Sequence, residues 1–238
     1  MRTTVCLKQA LLILLCTMVS PMAMAQLSAL LDEDFTVINL GAGLEVGKDI
    51  DGVTCHLRFD KPSRYSLDVD YVRNNFNTDD QYTYDAFVNG LSGVFTWWAF
   101  NTSVNRSVDL QLGVKAGGAT YGYRDYRYWE DATREHFIRY DGFNVGKLGV
   151  ELAMHYWLSD QMLLRPRVEA FGEWGQAHLT RDSQPKTEGY KDFTLKTGLA
   201  LIKKVNQSEA IFVEPNVLIG SYKAPVVLHV SVGYLIGF

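Results

Sequence analysis

The chain lacks most of what a soluble enzyme or a helical membrane protein requires. Beyond residue 25 it has no apolar run near the roughly 20 residues a helix needs to cross a bilayer, which excludes a helical membrane protein. It has only three cysteines, and two of them, Cys6 and Cys16, fall in the first 25 residues. Cys55 is then left alone, so no internal disulfide is available. A basic excess is also missing. The net charge of −4 argues against a nucleic-acid partner, whose phosphates demand a positive face. There is no CxxC, no HExxH and no phosphate loop, and the glycine run from Gly41 fails the dinucleotide pattern because Val46 stands where its third glycine belongs. Five scattered histidines make no metal site, and no cofactor is expected.

The N-terminus, by contrast, is well marked. Arg2 and Lys8 precede an apolar stretch from Ala10 to Val19, and Ala23-Met24-Ala25 fits a small-x-small cleavage site. The expectation is a secretory leader over 1–25, removed after Sec-dependent export, and a short periplasmic segment over 26–34. Cys16 follows Leu15, where a lipoprotein signal would want a small residue, so no lipid anchor is expected. Loss of two basic and no acidic residues takes the net charge from −4 to −6.

The rest of the chain alternates. In 226–238 the even positions Leu228, Val230, Val232, Tyr234, Ile236 and Phe238 are apolar, while His229, Ser231, Gly233 and Gly237 are small or polar, with Leu235 the exception. Strand side chains point to opposite faces in turn, so one face is greasy and the other polar. A transmembrane barrel needs that pattern over about 9–11 residues per strand. Soluble sandwich strands rarely sustain it so long.

Ten segments qualify: 35–47, 52–60, 64–73, 86–100, 107–120, 143–158, 161–176, 191–205, 209–221 and 226–238. Short turns are expected at 61–63, 101–106, 159–160 and 206–208, and long loops at 74–85, 121–142 and 177–190. Long and short connections alternate, as they do when every second turn is periplasmic. This parity favours an all-β, antiparallel up-and-down transmembrane barrel of about ten strands over 35–238, with eight or twelve as alternatives. Trp97, Trp98, Tyr156, Trp157 and Phe238 are placed at the periplasmic girdle, and Tyr71, Phe143, Trp174 and Phe193 at the outer one. Pro166 and Pro215 are candidate bulges. Cys55 reads as a lipid-facing side chain.

Alternation that ends in an aromatic residue resembles the terminal strand of bacterial outer-membrane barrels. The chain as a whole is similar in form to the small opacity-like and OmpA-type barrels. That resemblance implies an outer-membrane location among lipid and lipopolysaccharide, and a terminal strand (Tyr234, Ile236, Phe238) read by the barrel assembly machinery. It implies no catalytic residues.

Apolar positions facing out place Glu45, His56, Arg58, Asp68, Asp70, Asp109 and Lys115 inward in the first half of the chain. In the second half the inward set is Glu151, His155, Arg165, Arg167, Glu169, Glu173, Lys196, Glu214, Asn216 and His229. Charges inside a narrow barrel must be paired. The candidate lumen network is Glu151 and His155 facing Arg165, Arg167, Glu169 and Glu173 across one hairpin, an ion-pair ladder in which His155 offers a pH-sensitive element. The loop 121–142 carries Tyr123, Arg124, Tyr126, Arg127, Tyr128 and Trp129, residue types enriched in binding hot spots, and is the candidate site for a surface ligand.

Two enzyme resemblances are thin. His229-x-Ser231 is similar to a pair in the outer-membrane lipid A deacylases but lacks an acidic third member. Asp68-x-Asp70 resembles the paired aspartates of the omptin proteases without their Asp-x-His. The favoured role is therefore non-enzymatic, structural or surface-binding. A narrow porin-like channel is the first alternative, and a hydrolase acting on lipid A or peptides the second.

Overall fold

The computed structural model describes residues 36–47, 50–61, 64–76, 86–105, 108–124, 127–129, 137–221 and 224–237. The leader 1–25, the segment 26–34, Tyr126 and Phe238 lie outside them. The strands are β1 (Val37–Gly47), β2 (Ile50–Lys61), β3 (Tyr65–Phe76), β4 (Ala86–Asn105), β5 (Val108–Arg124), β6 (Arg127–Trp129), β7 (Phe137–Ser159), β8 (Met162–Arg181), β9 (Gln184–Lys204), β10 (Glu209–Ser221) and β11 (Ala224–Gly237). Each pairs antiparallel with its chain neighbour, except that β6 pairs only with β7, and β5 pairs with β7 directly. The first and last strands close the ring, from Val37↔Gly237 to Gly47↔Val227. The result is a closed ten-stranded up-and-down barrel with β6 as an annex on β7. Closure is what lipid demands, because no water is available there to satisfy a free strand edge.

The alternation of the sequence is the alternation of the wall. Leu148, Val150, Leu152, Tyr156 and Leu158 of β7 face outward, as do Leu228, Val230 and Val232 of β11. Cys55 also faces out. Trp97, Tyr156, Tyr71, Trp174 and Phe193 stand on the outer surface as girdle residues should.

Trp98 and Phe143 do not. Both are buried inside, because Trp98 shares the face of Val94 and Thr96, and Phe143 that of Val145 and Glu151. Trp157 likewise packs inward, with Leu235, on an apolar cluster of Val37, Leu163, Ala200, Ile202, Ala210 and Phe212 at the periplasmic end. That cluster explains Leu235, whose break in the terminal alternation plugs the lumen instead of facing lipid.

The prolines make no bulge. Pro166↔Leu199 and Pro215↔Val230 continue in register with one neighbour. Register shifts fall instead between Trp98 and Phe100, Ser103 and Asn105, Tyr140 and Gly142, and Trp157 and Ser159. A proline lacks one N–H toward one side only, so a strand can carry it while pairing on the other.

The segment 177–190 is not a loop. β8 and β9 run on through it, pairing from Ala177↔Glu188 to Arg181↔Gln184, and turn on Asp182 and Ser183, whose φ values of 49° and 66° are left-handed. A two-residue turn with both residues at positive φ matches the twist of a hairpin. β7, β8 and β9 have 23, 20 and 21 residues, against 11 to 14 in β1, β2, β3, β10 and β11. The wall is therefore tall on one side, with strands roughly twice the 9–11 residues a bilayer needs.

Val150→Arg, on the lipid face near the middle of β7, is expected to destabilise the barrel by about 2–4 kcal/mol. Gln184→Arg, at the exposed hairpin tip, should change stability by less than about 0.5 kcal/mol. Reversible guanidinium unfolding in phospholipid vesicles separates the two.

Candidate functional site

The lumen is built around one lysine. The register of β7 with β8 sets Glu151 directly opposite Glu169, two carboxylates side by side on the inner face. Such a pair repels unless a cation joins it. Lys115 of β5 supplies that cation, its Nζ donating to Glu151 Oε2 at 2.7 Å and to Glu169 Oε2 at 2.6 Å. All three are buried, with Glu151 at 0% and Lys115 and Glu169 at 3% exposure. From there the network spreads round the wall. Arg167 reaches Glu169 at 3.2 Å and also pairs with Glu214, and Arg165 stands 3.7 Å from Glu151. On the other side Arg58 lies 3.6 Å from Asp68 and 3.5 Å from Asp60.

Of the candidate lumen network, Glu151, Arg165, Arg167 and Glu169 come together. The ladder takes a different form from the one expected, because Glu151 faces an acid, and Ala153 is the residue opposite Arg167. Glu173 sits nearer the mouth and pairs with Lys147 at 3.1 Å. His155 is buried, and its Nε2 has no hydrogen-bond partner. Lys115, the centre of the network, was visible only as one inward residue. Its acids lie 36 and 54 positions away, and the first contact crosses the long β5–β7 connection.

The network is a floor. Toward the periplasm, Trp98 closes over Gly113, where a Cβ would come within 3.0 Å of the indole, and the Leu235 cluster lies beyond. Toward the outside a chamber of about 300 Å³ opens, bounded by Glu45, His56, Asp70, Lys196, Phe143 and Tyr190 among others. Tyr123, Tyr140 and Tyr190 pack on Phe143, with ring centroids 5.3, 5.4 and 5.6 Å from it. Tyr123 thus belongs to the mouth of the chamber, whereas Arg124 is on the outer face, over the ring of Phe87 at 5.6 Å. The backbones of Arg127, Tyr128 and Trp129 pair with Arg139, Ile138 and Phe137.

Of the two enzyme-like pairs, His229 and Ser231 stay apart, whereas Asp68 and Asp70 meet at one histidine. His229 Nε2 contacts Thr54 Oγ1 at 2.9 Å, while Ser231 donates to the backbone oxygen of Glu214 at 3.4 Å, so the two do not bond each other. Asp70 bonds His56 Nδ1 at 2.6 Å, and Asp68 is 3.9 Å from His56 Nε2. No group of three or more metal-ligating side chains occurs among the described residues. Tyr234 and Ile236 of the terminal strand pair with Leu40 and Ile38 in the closing seam.

A closed antiparallel barrel with a lipid-facing apolar belt and an ionic interior defines a small barrel of the outer-membrane class. Solved structures agree. The translocator domain of the autotransporter NalP from Neisseria meningitidis superposes with a TM-score of 0.51 at 9% identity, over 87% of this chain and 90% of that one. The outer-membrane protease OmpT from Escherichia coli gives 0.44 at 12% identity, over 87% and 98%. Ail, the attachment invasion locus protein of Yersinia pestis, solved with the heparin analogue sucrose octasulfate, gives 0.41 at 11%, over 86% and 98%. At such identities the likeness is one of fold, and that fold supports an outer-membrane location. No protein-family model and no curated protein matches the chain.

Lys115→Met should cost about 3–5 kcal/mol, since it leaves Glu151 and Glu169 buried and opposed. Lys196→Met, which loses only a partly exposed contact of 3.8 Å to Glu169, should cost less than about 1 kcal/mol. Unfolding in bilayers, read for both variants, checks the ranking.

Proposed function

We propose that the protein is a closed, non-enzymatic barrel that reaches the outer membrane by Sec-dependent export and serves there as a structural and ligand-binding surface element. The observation that carries this reading is the Lys115–Glu151–Glu169 layer. Water-filled pores keep a continuous polar lumen. Here a fully buried ionic layer is backed by Trp98 and by the apolar cluster of Leu163, Phe212 and Leu235, which leaves little room for ions to pass. The non-enzymatic reading is supported by the separate hydrogen-bond partners of His229 and Ser231.

The binding part of the reading rests on the tall wall. Strands β7, β8 and β9 continue past their girdle residues and hold an inner face of Ile138, Leu179 and Ala177, all buried. That packing extends the paired wall outward on the β7–β8 side. Lipid and lipopolysaccharide meet its outer surface, and the barrel assembly machinery would read Tyr234, Ile236 and Phe238 during insertion.

The folded protein in a planar bilayer should show no discrete openings at voltages where porins conduct. Reproducible single-channel steps would overturn the closed-barrel reading in favour of a narrow channel. Lipid A from cells with and without the protein should have the same mass spectrum, and a deacylated species dependent on the protein would overturn the non-enzymatic one.

A further inference from the structure

The chamber above the ionic floor has an unequal division of charge. On its β5–β10 side the charges are matched at close range: Lys147 with Glu173, Lys115 with Glu151 and Glu169, and Arg167 with Glu169 and Glu214. On the β1–β3 side, Glu45, Asp68 and Asp70 line the same space. Their neighbours there are His56, at 2.6 Å from Asp70 and 3.9 Å from Asp68, and Arg58, which approaches Asp68 from the floor at 3.6 Å. Glu45 accepts from the amide of Asn74, whose Nδ2 donates at 2.6 Å. Lys196 is the one further cation lining the chamber among the described residues, and its close partner is Glu169 at 3.8 Å.

A second observation points to a ligand. Asp68 and Asn74 are 6% and 7% exposed, both line the chamber, and Asp68 Oδ2 and Asn74 Oδ1 have no hydrogen-bond partner. Both unsatisfied atoms are acceptors. The acceptors open to a guest on that wall are the carboxylates of Glu45 and Asp70, which favour one that brings N–H donors and a positive charge. Above them the mouth is aromatic, with Tyr121, Tyr123, Phe143 and Tyr190 around the opening. Ring faces attract cations and pack against alkyl or aromatic carbon.

We propose that this chamber binds a small organic cation with a primary ammonium group. The ammonium is held by Glu45 and Asp70, and the apolar body by Tyr121, Tyr123, Phe143 and Tyr190. The inference rests on the closed lumen proposed above, since the floor makes the chamber blind at its inner end. A volume of about 300 Å³ matches the small end of ligand pockets, which begin near 300 Å³. The donor and acceptor pattern rejects carboxylates and phosphates, which would meet three acids at the wall.

The test is titration calorimetry of the folded, full-length barrel in non-ionic maltoside micelles, with three isosteric probes: phenethylamine, phenethyl alcohol and phenylacetate. The amine is expected to bind saturably, the alcohol at least about tenfold more weakly, and the carboxylate not at all, in line with a charge-assisted contact. Glu45→Gln and Asp70→Asn should each weaken the amine at least about fivefold, by the same argument, while heat-modifiable migration shows that they still form the barrel. Equal affinity for amine and alcohol, no saturable heat with the amine, or undiminished binding in the Glu45→Gln/Asp70→Asn double variant would each overturn the proposal. Conductance measured on the same preparation separates the two readings. A barrel that conducts yet binds the amine loses its closed floor but keeps its site, and a silent barrel that ignores the amine loses only the site.

Discussion

In hydrocarbon every backbone N–H and C=O must find its partner inside the protein, and everything else in this molecule follows from that constraint. It forbids a free edge, so β1 must meet β11 and the ten strands must form a ring. A ring with lipid outside requires apolar side chains at every second position, and the period of two then sends the alternate residues into the lumen. The inward chemistry is thus a by-product of the outward one. Once Leu148, Val150 and Leu152 face lipid, Lys147, Gly149 and Glu151 have no choice but to face in.

A ten-stranded ring is narrow, and its inward charges meet across it as well as along it. The antiparallel register places Glu151 against Glu169 with no freedom to slip, because a slip of one residue would turn every apolar side chain inward. Removing the repulsion therefore falls to a third strand. Lys115 reaches both carboxylates from β5, and because β5 and β7 are joined across the long connection, the contact also ties the two halves of the chain. Burial of such a triad adds little net stability, since desolvation offsets the attraction. What it supplies is a partner for both acids at that level.

The parts of this structure legible in the sequence were those with period two and a lipid face. The ring of ten strands, most of the inward and outward assignment and a tight turn after Ser159 follow from apolar alternation. Two kinds of feature did not. Beyond the membrane the outward face is polar too, so β8 and β9 lose their contrast after Trp174 and read as a loop, although they continue to Arg181 and Gln184. Aromatic residues read as girdle were ambiguous where they occur in adjacent pairs. Trp97-Trp98 and Tyr156-Trp157 each contribute one ring to lipid and one to the lumen. The candidate site was legible as a set of inward residues but not as contacts. Glu151, Arg165, Arg167 and Glu169 share one hairpin and could be grouped. Lys115 is joined to them only through the β5–β7 pairing, which no local pattern announces.

The two ends of the lumen are built on different principles, and the difference bears on what the barrel can do. At the periplasmic end the inward positions turn apolar, with Leu163, Ile202, Phe212 and Leu235 packed as in a soluble core. A packed apolar plug contributes stability through burial and asks for no pairing. Toward the outer end polar and apolar inward positions mix beneath an aromatic rim, which leaves a recess with Glu45, Asp68 and Asp70 on one wall. Had selection acted for closure alone, the apolar solution used below would have served above as well, without the desolvation cost of buried carboxylates. Keeping Glu45, Asp68 and Asp70 on one wall of an outward-facing recess is the costlier choice, and a ligand that supplies N–H donors is the element that offsets it.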